Sequence, residues 1–109
     1  MAVDCARCVQ RIVQYRELKN SLQHVVEEGH RRLATQLAIE LEATIDGLEG
    51  CVLPFTLHDA RRHMERVRSA IRAGDASSAL KHLMEMPKVG EMAKGFCHIM
   101  WTRKRKEEK

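Results

Sequence analysis

Residues 22–41, LQHVVEEGHRRLATQLAIEL, set how this chain folds, because a helical pattern enters and leaves them with one glycine in between. Upstream, Cys5, Cys8, Ile12, Tyr15, Leu18, Leu22 and Val25 recur at steps of three and four and so share one helical face. Downstream, Leu33, Leu37, Leu41, Ile45 and Leu48 repeat the rhythm. Gly29 suits the left-handed cap that ends a helix, although His30, Arg31 and Arg32 are poor residues with which to begin another. Three arrangements compete. A turn at Gly29 gives two antiparallel helices. A turn at Asn20 or Ser21, where Asn20 and Gln23 have capping-box spacing, gives a short helix and then a long one. No turn at all gives a rod of ~45 residues that would need a partner chain. Ordinary helix lengths favour the turn at Gly29.

Beyond this stretch, Gly47, Gly50 and Pro54 interrupt the pattern. Thr56 with Asp59 has the spacing to open a third helix, with Leu57, Ala60, Met64, Val67 and Ile71 on its core face. Gly74 ends that helix, and Asp75 caps a fourth that runs to about Met86. Pro87 kinks or splits the chain after that helix, and a last helix from about Lys88 carries Val89, Met92, Phe96 and Ile99. The expected fold is all-α, an up-down bundle of four to five helices able to form a dimer. One domain is expected over 1–102, with a basic, flexible tail over 103–109.

Composition agrees with this. The chain has 109 residues, 44% apolar and only 4% aromatic, which favours helix over strand and allows one core. No apolar run approaches the ~18 residues that cross a bilayer, and Asp4 and Arg7 break up any signal-peptide stretch. A chain in the cytoplasm with no membrane partner is expected.

In that reducing setting stable disulfides are not expected, so the four cysteines read as thiols, metal ligands or switchable redox groups. With a turn at Gly29, helix lengths bring Cys5, Cys8, Cys51 and Cys97 to one end of the molecule. Four thiolates there suit zinc or an iron-sulfur cluster. Against this, only Cys5 and Cys8 have paired spacing, and both continue the apolar stripe, so plain core thiols without any cofactor are the leading expectation. A thiol switch is the third reading, since Arg7 and a helix start would lower thiol pKa values. The spacing of the six histidines does not support a metal site of their own: Glu27 and His30 form a single i, i+3 pair with no second to match it, His58 and His63 are five apart, and His24 and His82 stand alone, while His98, beside Cys97, is the one that could replace a thiolate.

The third helix is arginine-rich. Arg61, Arg62, Arg68 and Arg72, together with the terminal Arg103, Lys104, Arg105 and Lys106, are candidate phosphate contacts, with Trp101 available to stack on a base. A net charge of +4 permits nucleic-acid binding without requiring it, and Glu27, Glu28, Glu40, Glu42 and Glu49 offer pairing partners within the chain. No nucleophile motif, phosphate loop or HExxH element is present, so catalysis is not favoured. The leading expectation is a small interaction or regulatory module that binds a protein or a second copy of itself. A zinc, iron-sulfur or redox-sensing protein comes second, and a nucleic-acid-binding accessory protein without sequence specificity third.

Overall fold

The computed structural model describes residues 5–88, with side chains from residue 6 onward. Four helices account for most of them: α1 (Cys5–Glu27), α2 (Arg31–Asp46), α3 (Pro54–Ala73) and α4 (Ala76–Glu85). No strand occurs among the described residues. α1 packs against α2 and α4, α2 against α3, and α3 against α4, giving a helical bundle around one apolar core. Lys88 is not helical, and the rest of the helix expected from there, with the basic tail, lies outside the described residues.

The chain turns at Gly29. Its φ of +80° is the left-handed conformation that a side chain disfavours. The Gly29 amide bonds the Val26 carbonyl and the His30 amide reaches back to Val25, so the last carbonyls of α1 are satisfied before α2 begins. The same double closure recurs at Gly74, where the Gly74 amide bonds Ile71 and the Asp75 amide bonds Ala70. Asp75 then caps α4, its carboxylate accepting the Ser78 amide at 3.0 Å, as the sequence predicts.

Two expectations are corrected. α3 begins at Pro54 rather than at Thr56, because proline fits the first helical position, where its missing N–H leaves no bond unmade. Thr56 is buried instead of capping. In α2 the core face is rotated from the Leu33–Leu37 line: Ala34, Ala38, Leu41 and Ile45 are buried while Leu33 is 45% exposed. Small residues on the inner line let neighbouring helices approach closely, and the larger Leu37 packs at the core edge. On α3 the expected face, Leu57, Ala60, Met64, Val67 and Ile71, is buried throughout.

Tyr15 sits at the centre with no exposed surface, and its hydroxyl donates to the Pro87 carbonyl at 3.0 Å. That bond satisfies a polar group that would otherwise be costly to bury, and fastens the segment after α4 to α1. Burial, and secondarily the negative charge of Asp59, push the phenol well above its ordinary pKa, so Tyr15 stays protonated and donating. Lys19 shifts the other way, its ammonium disfavoured first by partial burial and then by Lys88.

Candidate functional site

One end of the bundle brings together two of the four cysteines that the sequence singles out, Cys8 and Cys51. Cys8 lies on the second turn of α1, and Cys51 follows Gly50, whose φ of +84° lets the α2–α3 connection fold back. The Cys51 amide bonds the Leu48 carbonyl at 2.8 Å, and the residue is buried. The two sulfurs are joined in a disulfide across 43 positions of sequence, with the Cα atoms 5.3 Å apart. Val52 packs against the bridge, and the Arg11 guanidinium donates to the Gly47 carbonyl beside it. The start of α1 is thus held to the α2–α3 connection by a covalent bond and a charge-assisted one.

Cys8 and Cys51 therefore meet as the turn at Gly29 requires, but as a cross-link and not as the free thiols expected. Two buried sulfurs at bonding distance form the bond wherever an oxidant is present. Cys5 stands in the first turn of α1, three residues before Cys8. Cys97 lies outside the described residues. Downstream of the bridge, Leu53 and Phe55 face solvent, Phe55 being 71% exposed.

The arginines of α3 are largely engaged within the chain. Arg61 pairs with Asp46 at 3.2 Å, Arg62 with Asp59 at 2.9 Å and Arg68 with Glu42 at 2.6 Å. The acids of α2 do supply partners, as the charge pattern suggests. Arg72 stands in the last turn of α3, where its carbonyl accepts from Arg31, while Arg103, Lys104, Arg105 and Lys106 lie outside the described residues.

A second polar cluster is not evident from residue spacing. His63 of α3 and His82 of α4, unrelated by any ligand pattern in sequence, face one another with ring centroids 6.1 Å apart. His63 is buried, and the Nδ1 atoms of both rings are buried without a hydrogen-bond partner among the described residues. Glu85, one turn beyond His82 on α4, brings a carboxylate oxygen to 3.8 Å from His82 Nδ1. A ligand atom from each of His63, His82 and Glu85 lies within 4.8 Å of the others. The only signal in sequence is the i, i+3 pair of His82 and Glu85. His63 joins them solely because Gly74 reverses the chain.

No protein-family model matches the chain, and no curated protein or solved structure is significantly similar to it.

Proposed function

We propose that the chain is a small helical interaction or regulatory module without catalytic activity, an up-down bundle that forms a dimer through its cysteine end. The observation that carries this reading is the Cys8–Cys51 bridge, which fixes the α2–α3 connection immediately before the exposed Leu53 and Phe55. In a reducing cytoplasm, disulfides are characteristically transient or redox-sensing. For a chain in the cytoplasm the bridge then acts as a thiol switch: oxidation ties the α2–α3 connection to α1, and reduction removes that tie.

Exposed apolar side chains beside such a hinge suit a protein partner, and a second copy of the chain is the simplest one. Light scattering of the oxidised and the reduced protein, with Phe55→Asp alongside, tests the reading. A mass that changes with redox state in the wild type, and stays monomeric in Phe55→Asp, is the expected result. Monomers in both redox states, indifferent to the substitution, would count against it.

The zinc or iron-sulfur reading draws on the same sulfurs and requires them reduced, since metal is bound by thiolates. Its measure is the metal content of protein purified anaerobically under reductant. Contact with nucleic acid has less support, because Arg61, Arg62 and Arg68 are each already paired with a carboxylate.

A further inference from the structure

A buried imidazole, His63, facing a partly exposed one, His82, with the Nδ1 atom of each buried and without a hydrogen-bond partner among the described residues, is an expensive arrangement where leucine could have served. A buried polar atom left without a partner is costly, because it gives up its hydrogen bonds to water and makes none in return. A cation held between the rings would satisfy both lone pairs at once.

We infer that His63, His82 and Glu85 form a binding site for a divalent transition metal of the zinc class, independent of the cysteines. The donor set is two imidazoles and one carboxylate, which suits zinc and its neighbours and disfavours calcium and magnesium, whose ligands are oxygens. In tetrahedral zinc sites with bonds near 2.0–2.1 Å, ligand atoms stand about 3.4 Å apart. The carboxylate oxygen of Glu85 and His82 Nδ1, at 3.8 Å, are close to that spacing, and the full set, within 4.8 Å, has to draw in by up to about 1.4 Å to reach it.

The surroundings fit the same assignment. The other nitrogen of His63, Nε2, faces the Asp59 carboxylate at 3.7 Å, the arrangement in which an acid behind a metal-bound imidazole orients the ring and selects its tautomer. Asp59 is in turn held by Arg62 at 2.9 Å, so the second carboxylate is fixed and the arginine's charge is neutralised. The ion has a route in: the Glu85 side chain is 46% exposed and His82 lines a surface crevice between α3 and α4. Three protein ligands leave a fourth position for water or for a donor carried by a partner.

The test uses full-length protein with Cys5→Ser and Cys97→Ser, the Cys8–Cys51 disulfide kept oxidised, so that no thiolate competes. Zinc is titrated against a chromophoric chelator, and cobalt(II) serves as the spectroscopic probe. About one equivalent of zinc is expected, with cobalt absorption bands of nitrogen and oxygen ligation and no thiolate charge transfer. His82→Ala and Glu85→Gln, both at partly exposed positions, are expected to weaken zinc binding by about tenfold or more. Zinc should also raise the unfolding temperature of the parent and leave that of His82→Ala unmoved. Absence of zinc binding by the folded, thiol-free protein, or binding that survives both substitutions unchanged, would overturn the assignment. Neither result depends on whether the cysteine end acts as a switch.

Discussion

The two helical hairpins, α1–α2 and α3–α4, turn by the same device and differ in how the next helix starts. At Gly29 and at Gly74 the backbone takes nearly the same left-handed φ, +80° and +73°, and the same pair of amide bonds closes the helix behind it. The following residues also match, His30 at φ −83° and ψ 80° and Asp75 at φ −95° and ψ 83°. Asp75 caps its helix with a side-chain oxygen, whereas His30 makes no side-chain cap. The first hairpin is instead tied at its far end by the Cys8–Cys51 bridge and the Arg11–Gly47 bond, while the second places two imidazoles between its helices. A glycine is therefore enough to reverse a helix pair, and the contacts that secure the pair are chosen separately in each hairpin.

Removing the bridge should separate the two hairpins most. In the chain-entropy account, a cross-link spanning 43 positions restricts the unfolded chain by about 4 kcal/mol, so Cys8→Ser, or full reduction, should lower unfolding free energy by up to that amount. Urea denaturation of oxidised and reduced protein measures it. A loss below about 1 kcal/mol would mean that the first hairpin does not rely on its far-end tie.

Next in size are the turns themselves. A Cβ added at Gly29 or Gly74 meets no atom within 4 Å, so alanine at either position carries only the conformational cost of the left-handed region, about 1–2 kcal/mol. Equal losses for Gly29→Ala and Gly74→Ala by thermal or urea unfolding would bear out the parallel. A clearly smaller loss at Gly29 would show that α1 and α2 tolerate the straighter path that their continuous apolar phase permits.

The caps should differ in sign. Asp75→Ala removes the bond to the Ser78 amide and should cost about 1 kcal/mol, whereas His30→Ser supplies a missing cap in matching backbone geometry and should add about 0.5–1 kcal/mol. Calorimetric melting of both variants reads the contrast. If His30→Ser melted no higher than the parent, the start of α2 would be limited by something other than its unpaired amides.

Much of the molecule is legible in the amino-acid order because the signals are local. Gly29, Gly74 and Asp75 act through backbone conformation and bonds within four or five residues, and the α3 stripe from Leu57 to Ile71 is a single run at helical spacing. Pro54 misleads for the opposite reason: proline breaks a helix in its interior and begins one at its first position, and the two readings differ by where the helix happens to start. The inward face of α2 is not legible either, since both the leucine line and the alanine line have the right period, and only the shape of the neighbouring helices selects the one that fits.

The order of residues alone thus established that this chain is helical, that a helix ends at Gly74 and which stripe of α3 is apolar, because each depends on interactions between near neighbours; at Gly29 it offered a turn beside an earlier turn and an unbroken rod. It took the tertiary fold to make Cys8 meet Cys51, to set Arg61 and Arg68 of α3 against Asp46 and Glu42 of α2, and to bring His63 to His82. Those pairs are separated by a chain reversal, and their meeting depends on the rotation and axial shift of one helix against another, quantities set by packing across the whole core.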